Sequence, residues 1–261
     1  MRSILVQAGR DAGMSARLDT AMAIARFTDG HLTLLIDTPI HKYVSVDPYG
    51  GSYVAREALD AALSADDELA AAFEGRLLSD DVPFDVAQYE AEPLAALADA
   101  ARLSDLVVMP RDAALCGNLA LETRVPVLIM PESVRLALPL QAAAIAWDGG
   151  DPAAAALRGA VPLLRGCPSV SVITVTSDGP DAFPATEALR YLARHGIKAD
   201  LVEVARGASV EQTLAGEVKR LGAQLFVLGA FGHARLTEFL FGGVTRYFLR
   251  DAPALPLLIA H

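Results

Sequence analysis

"GAFGHARLTEFLFGGVT", residues 229–245, carries glycines at positions 229, 232, 242 and 243. The short apolar run "AQLFVLGA" that leads into this segment predicts a buried strand, which Gly229 ends. The pair Gly242–Gly243 stands where the next helix should begin. Glycine lets the backbone turn sharply and approach a ligand, and free N–H groups at a helix N-terminus bind anions. The segment is therefore either a phosphate-binding loop or a tight turn with a helix packed closely behind it, and the spacing G-x2-G-x9-G favours the first.

The same alternation of strands and helices runs through both halves of the chain. The predicted strands of the second half are "AAAIAWDGG", "SVSVITVT", "KADLVEVA", "AQLFVLGA" and "LPLLIA". Those of the first half are "ILVQAG", "HLTLLID", "FDVAQYE", "DLVVMP" and "VPVLIM". Strands that alternate with helices indicate βαβ units and a mostly parallel sheet covered on both faces. The predicted fold class is α/β, with two tandem, open, mostly parallel five-stranded sheets of Rossmann-like type.

The unit repeats once, which indicates a duplicated domain rather than a solenoid. "PESVRLALP", residues 131–139, has proline at both ends and predicts a connection between the two units. The predicted domains are residues 1–131 and 140–261, with a linker at 132–139. Ligands of such sheets bind beyond the carboxyl ends of the strands, near the switch in strand order.

Composition excludes several classes of protein. The net charge is −10, which argues against a nucleic-acid or anionic membrane surface, and no apolar run is long enough to span a membrane. The two cysteines, Cys116 and Cys167, lack metal or redox spacing and are expected to be small buried thiols in a reducing cytoplasm. We expect a soluble cytoplasmic protein.

The motif Gly229-x2-Gly232-x9-Gly242 is followed by "GVT" and, at residues 250–253, by Arg-Asp-Ala-Pro before a last apolar strand. In this the second half resembles the universal stress protein family. The first half matches in element order and in "ILVQAG" and "VPVLIM" but lacks the motif, so the chain is similar to the tandem type. The resemblance implies an adenine nucleotide α-hydrolase-like fold, binding of ATP or AMP with Mg²⁺ between the phosphates, dimerisation through the last strand and a role in stress resistance.

The resemblance also implies the residues of the adenosine end of the site. Asp148, with Gly149 beside it, corresponds to the aspartate that meets the adenine, and Val175 falls where main chain contacts the base. From the residues alone, Asp148 has a second interpretation, as the N-cap of the next helix or as a turn former in "DGGD". The neighbouring Trp147 either lines the base pocket or is a buried aromatic residue at a strand end.

The phosphate end is carried over from the same resemblance. The positions expected at the ribose and phosphates are Gly229, Gly232, His233, Arg235 and Gly242. Gly243 stands where the family usually has Ser or Thr, so a hydroxyl that would bond a phosphate oxygen is missing. The backbone N–H groups of Gly243 and Val244 remain, and the hydroxyl of Thr245 is a partial substitute.

The first half is expected to bind no nucleotide in this manner. Aligning "LVQAG" with "IAWDG" places Ala8 opposite Asp148, and aligning "VVMP" with "FVLG" places Pro110 opposite Gly229. Pro110 to Pro126 spans 16 positions and Gly229 to Pro256 spans 27, so the glycine loop is 11 residues shorter. This half is expected to be a built-in dimer partner, with "VPVLIM" paired to "LPLLIA" so that neither apolar strand is left at a sheet edge.

Four questions stay open at the level of sequence. Residues 37–53, "DTPIHKYVSVDPYGGSY", form a long connection that is either a lid, a partner surface or a flexible segment. No catalytic triad, metal-ligand spacing or nucleophile elbow indicates a reaction, so any enzymatic activity is at most slow ATP hydrolysis. The alternatives to a nucleotide-binding stress protein are a nucleotide-free dimeric scaffold of the same fold and a weak ATP hydrolase. A homodimer of the whole chain is also open.

Overall fold

The computed structural model describes residues 1–46, 52–176, 183–230, 243–251 and 255–261. The strands of the first half are β1 (Ser3–Gln7), β2 (His31–Asp37), β3 (Val44–Val46), β4 (Ser52–Val54), β5 (Phe84–Tyr89), β6 (Leu106–Pro110) and β7 (Val127–Met130). Its helices are α1 (Met14–Thr28), α2 (Arg56–Leu77), α3 (Pro93–Ala100) and α4 (Ala113–Glu122).

The second half repeats this order. Its strands are β8 (Ala142–Ala146), β9 (Ser169–Thr176), β10 (Asp200–Ala205), β11 (Leu225–Gly229) and β12 (Leu257–Ala260). Its helices are α5 (Asp151–Leu164), α6 (Ala185–Arg194), α7 (Val210–Arg220) and α8 (Gly243–Arg250). No helix within the described ranges is both long and apolar enough to cross a membrane.

Ten of the strands form one sheet in the order β10-β9-β8-β11-β12-β7-β6-β1-β2-β5. Neighbours within each half are parallel, whereas β7 and β12 are antiparallel, with Leu128 opposite Leu258. The expected pairing of the two last strands is therefore confirmed, and it joins the two five-stranded units into one continuous sheet. Each unit has the α/β order that was predicted.

Burial explains why the seam lies where it does. The four residues of β7 and the four of β12 are all buried, because helices cover both faces of the sheet at its centre. The outer strands β5 and β10 instead alternate between partly buried and exposed positions, and Asp85 and Glu203 occupy exposed ones. Charged side chains on an edge strand oppose further strand addition. The strands at the junction of the halves are thus fully buried, whereas the outermost strands are partly exposed.

The connection between β7 and β8 is anchored on α1. The backbone N–H of Leu136 donates to the hydroxyl of Thr20, at 3.0 Å, and both residues are buried. Arg135 forms an ion pair with Asp19, with 3.1 Å between Nη1 and Oδ2. The middle of this segment, at Arg135 and Leu136, is therefore held against the first half.

Residues 37–53 are partly regular. They contain a 3-10 turn at Ile40–Tyr43 and the strands β3 and β4, which pair as an antiparallel hairpin through Val44 and Val54. Residues 47–51 lie outside the described residues. The connection therefore contains regular secondary structure, while its role as a lid, a partner surface or a flexible segment stays a prediction.

Candidate functional site

The switch in strand order of the second half lies between β8 and β11. The chain leaves β8 through α5 towards β9 on one side and leaves β11 through α8 towards β12 on the other. In open parallel sheets this divergence creates a crevice at the carboxyl ends of the two strands. The helices α5 and α8 both start at this crevice, and their first turns both contact Gly229.

Gly229 is the point where α5 meets the sheet. A Cβ atom at this position would lie 2.5 Å from the backbone N of Ala153 and 2.7 Å from the carbonyl carbon of Pro152. No side chain fits there, because the first turn of α5 packs directly on the end of β11. The interpretation of a closely packed helix therefore accounts for this glycine, and the same packing brings the N-terminus of α5 to the crevice.

The first turn of α8 lies on the other side of Gly229. Thr245 is only 3% exposed, and its hydroxyl donates to the carbonyl oxygen of Gly229 through a long bond of 3.4 Å. The one hydroxyl proton of Thr245 is therefore used inside the protein. A Cβ atom at the exposed Gly243 would meet nothing within 4 Å. The backbone N–H groups of Gly243 and Val244 are the donors that this helix end presents.

Asp148 forms the turn between β8 and α5. Its Oδ1 accepts a hydrogen bond of 2.9 Å from the backbone N–H of Gly150, and Gly149 between them has φ +76°, in the left-handed region that favours glycine. The residue at the N-cap of α5 is Gly150, so the turn interpretation of Asp148 is confirmed and the N-cap interpretation is wrong. The exposed side chain of Asp148 lies at the mouth of the crevice.

Trp147 is buried beside this turn. Its indole N–H donates to the carbonyl oxygen of Phe183 at 3.0 Å, and the two rings lie 6.4 Å apart. The carbonyl oxygen of Trp147 accepts a bond of 3.0 Å from the hydroxyl of Thr174. Trp147 is 6% exposed. It is thus a packed strand-end aromatic residue, adjacent in sequence to Asp148.

The remaining predicted site residues divide into two groups. Val175 is half-buried near the carboxyl end of β9, the strand next to β8, so it and Asp148 lie at the ends of neighbouring strands. Four predicted positions lie outside the described residues: Gly232, His233, Arg235 and Gly242.

The first half has a different crevice, and the sequence alignment of its first strand was wrong by one residue. Ile4 of β1 pairs with Leu106 of β6, and the equivalent pair in the second half is Ala143 of β8 with Leu225 of β11. The strands β1 and β8 therefore superimpose with Ala8 opposite Trp147 and Gly9 opposite Asp148. The cause is loop length. Six residues separate β1 from α1, at 8–13, and four separate β8 from α5, at 147–150. The sequence alignment matched the glycines of the two loops, and this shifted β1 by one residue relative to β8.

Asp11 forms the corresponding turn in this longer loop. Its Oδ1 accepts from the backbone N–H of Gly13 at 3.1 Å, two residues on, as Asp148 accepts from Gly150. Both Asp11 oxygens are bound by the guanidinium of Arg17, at 3.0 and 2.7 Å, and Arg17 Nε donates to the carbonyl oxygen of Gln7 at 2.9 Å. Arg17 is 1% exposed. This ion pair, which the sequence analysis missed, places a side chain at the carboxyl end of β1.

Electrostatics follow from the pair. The guanidinium of Arg17 holds the pKa of the Asp11 carboxyl below its ordinary value of 3.8, against an opposing effect of burial. The signal in the sequence is one arginine among the mainly apolar residues on the buried face of α1, a residue type that is seldom buried unless it is paired.

The connection after the fourth strand also differs between the halves. Two residues, Arg111 and Asp112, join β6 to α4, whereas thirteen residues, 230–242, join β11 to α8. The predicted difference of 11 residues is confirmed. Asp112 caps α4 by accepting from the backbone N–H groups of Ala114 and Leu115 at 3.0 and 2.9 Å. These donors are therefore satisfied within the first half.

Both cysteines are free thiols in buried positions. Burial raises the pKa of the Cys116 thiol to about 12 and also raises the pKa of Cys167. Neither thiol is a nucleophile near neutral pH.

Comparison with solved structures identifies the fold. A universal stress protein from Archaeoglobus fulgidus superimposes with a TM-score of 0.74 at 14% identity, over 99% of this chain and 95% of that one. A putative universal stress protein from Pseudomonas aeruginosa gives 0.60 at 19% identity, over 100% and 93%. The cytoplasmic domain of a prokaryotic cation chloride cotransporter gives 0.52 at 14% identity, over 100% and 96%.

No protein-family model matches the chain, and no curated protein matches it significantly. At the identities above, the structural likeness establishes the fold: it is that of universal stress proteins with two such units in one chain. The cotransporter domain shows that the same fold also occurs in a membrane transport protein.

Proposed function

We propose that this protein is a universal stress protein of the tandem type that binds one adenine nucleotide, ATP or AMP, in its second half. The observation that supports the proposal most is that the first turns of α5 and α8 both contact Gly229, at the switch point of the sheet. Two helix N-termini thus start at one crevice, and the backbone N–H groups and dipole of such an end favour a phosphate where no acidic side chain opposes it.

We infer the orientation of the nucleotide from the charges of the two helices. The first turn of α5 carries Asp151, and Asp148 stands just before it, so this side disfavours phosphate and suits the adenosine. The first turn of α8 has no acidic residue. The phosphates would therefore lie against α8, and Asp148 and Val175 would meet the adenosine.

At the phosphate end, the geometry fits a ligand that is held mainly by backbone donors. Space around Gly243 is open, and the N–H groups of Gly243 and Val244 stand at the start of α8. From the sequence resemblance we add Gly229, Gly232, His233, Arg235 and Gly242 to this end. Mg²⁺ would sit between the phosphates rather than in a protein cage. The Thr245 hydroxyl donates to Gly229, so it would replace the missing hydroxyl at position 243 only by giving up that bond.

A role in stress resistance in the cytoplasm completes the proposal. It follows from the resemblance to the family, and two buried free thiols agree with a reducing compartment. Any hydrolysis of ATP would be slow. Turnover well above that of a Gly232→Val variant would be needed to adopt an enzymatic role.

The binding proposal is tested by titrating the protein with ATP and with AMP while recording tryptophan fluorescence. Trp147 is the only tryptophan of the chain and adjoins Asp148, so an occupied crevice should change its emission. We expect a saturable change for the wild type and a weaker one for Asp148→Ala. No change and no shift in melting temperature at millimolar nucleotide would reject the proposal.

A nucleotide-free scaffold is the second candidate. The specific observation in its favour is that Gly243 lacks the hydroxyl and that the Thr245 hydroxyl donates to Gly229. The cotransporter domain of the same fold shows that the architecture also serves another kind of protein. The same titration separates the two candidates, since the scaffold predicts no response to any adenine nucleotide.

A further inference from the structure

Arg111 of the first half reaches into the second half. It lies in the two-residue connection between β6 and α4. Its Nη1 donates to the carbonyl oxygen of Phe248 at 2.5 Å, and its Nη2 donates to the carbonyl oxygen of Leu255 at 2.6 Å. One guanidinium therefore bridges the end of α8 and the residues that lead into β12.

Arg111 donates to a carbonyl group at the end of α8 that has no donor within the helix. The last carbonyls of a helix have no intrahelical donor, and a cation is favoured there by the helix dipole. At the end of α8, Tyr247 accepts from the backbone N–H of Asp251 at 2.7 Å, and Phe248 accepts from Arg111. Burial lowers the pKa of Arg111 from its ordinary value, but an arginine stays charged in proteins. These are thus charge-assisted bonds, which are stronger than neutral ones.

The helix that Arg111 holds is short. α8 has 8 residues, and an isolated helix of this length is marginal in water, so tertiary contacts determine where it lies. One end is fixed by Arg111, and the Phe248 ring packs on Phe226 of β11 with centroids 4.6 Å apart. The other end presents Gly243 and Val244 at the crevice, with Thr245 bound to Gly229.

We infer that Arg111 is a positioning residue for the phosphate end of the nucleotide site, supplied by the half that lacks the motif. The inference rests on the proposed function. Where the second half has a loop of thirteen residues, the first half has two, and this short connection places Arg111 against α8. By fixing the C-terminus of α8, the arginine sets the direction in which the N-terminal N–H groups point.

The experiment compares ATP with adenosine on the full chain. Arg111→Met removes both bonds, and Arg111→Lys keeps the charge but not the fork that spans two carbonyls. Arg102→Met is the matched control, since Arg102 is an exposed arginine of the same half that pairs with Asp99. Dissociation constants are measured by Trp147 fluorescence with Mg·ATP and with adenosine, alongside the melting temperature.

We expect Arg111→Met to weaken Mg·ATP binding roughly tenfold, as for the loss of a charge-assisted bond. Adenosine binding should change by less than about twofold, because Asp148 and Val175, which would contact the adenosine, do not lie on α8. Arg111→Lys should bind Mg·ATP with intermediate affinity, and Arg102→Met should match the wild type.

The outcomes separate the two proposals. If the wild type binds Mg·ATP and Arg111→Met binds it equally well, the positioning role is rejected while nucleotide binding stands. If the affinities for ATP and for adenosine fall by the same factor, and the melting temperature falls as well, Arg111 is only structural and the inference is also rejected. If Arg111→Met does not fold, Arg111→Lys provides the same comparison. If the wild type binds neither ligand, the proposed function fails and this inference fails with it.

Discussion

At the scale of single residues, Gly229 and Gly243 are glycines for different reasons. Gly229 has no room for a side chain because the backbone of α5 lies against it, whereas Gly243 faces open space at the start of α8. Packing explains the first glycine whether or not a ligand binds. The second has no packing role, so its effect on function is directly testable.

Gly229→Ala should destabilise the protein. The new methyl group would meet the backbone of Ala153 at 2.5 Å, and backbone cannot move aside as a flexible side chain does. We expect a loss of about 2 kcal/mol or more in the free energy of unfolding, measured by urea denaturation. The control is Gly216→Ala in α7, where a Cβ meets nothing within 4 Å and alanine should stabilise by roughly 0.5–1 kcal/mol. Equal effects of the two changes would contradict this account of Gly229.

Gly243→Ser should strengthen ATP binding. A serine fits the open space, and its hydroxyl would add a donor at the first residue of α8, where the phosphates are proposed to lie. One added hydrogen bond is worth about 1 kcal/mol, or roughly fivefold in the dissociation constant measured by calorimetry. Ala113→Ser, at the first residue of the equivalent helix α4, is the control and should leave ATP affinity unchanged. Unchanged or weaker binding by Gly243→Ser would argue against phosphates at α8.

At the scale of elements, the sheet strands could be predicted from the sequence because each is a short apolar run bounded by turn residues. The geometry of the loops was harder to predict from the sequence. The strand alignment of the first half failed by one residue because the loop before α1 is two residues longer than the loop before α5. The hairpin of β3 and β4 was not predicted, since Val44 and Val54 pair with each other outside the main sheet and are both exposed.

Asp11 and Arg17 were missed for a related reason. Their contact depends on the path of the β1–α1 loop, which folds a carboxylate back over the first turns of α1. Composition and spacing do not report such a path. In the second half the equivalent turn was found because "DGGD" contains its own glycines. Loop geometry, rather than strand or helix propensity, therefore set the limit of sequence-based inference for the site.

The Asp11–Arg17 pair should make stability depend on acid pH. The pKa of Asp11 is lowered in the folded state, so its contribution is present above the unfolded value of 3.8 and is lost as the pH falls through the folded value. Asp11→Asn should be less stable than the wild type at neutral pH, and the difference should shrink below about pH 3.8. Urea unfolding at a series of pH values measures it. Asp60→Asn, on the exposed surface of α2, is the control for removing one acidic side chain. A difference that stays constant with pH would contradict the role of the pair.

At the scale of the whole molecule, the antiparallel pairing of β7 with β12 joins the two halves of one chain into a continuous sheet, as two identical chains would be joined in a symmetric dimer. The first half retains the sheet and the pairing strand but carries an internal ion pair and a short connection where the second half has its glycine loop. The second half thus carries the proposed ligand site, and the first half supports it. Arg111 of the first half makes the contact with α8.

The second half expressed alone, residues 140–261, should self-associate. Removing the first half exposes β12, whose residues are fully buried in the intact chain, as an apolar edge. We expect dimers formed by β12 pairing with itself, detected by light scattering after gel filtration. The full-length chain at the same concentration provides the comparison, because Leu258 is already paired with Leu128 there. A stable monomer of the second half would show that the edge needs no partner.

The central claim is that one adenine nucleotide binds per chain, in the second half. Calorimetric titration of the wild-type protein with Mg·ATP tests it most directly, because it gives affinity and stoichiometry together. The account predicts a single saturable binding event with a stoichiometry of about one ATP per chain. Two sites per chain would contradict the assignment to the second half, and no heat at millimolar ATP would contradict nucleotide binding altogether.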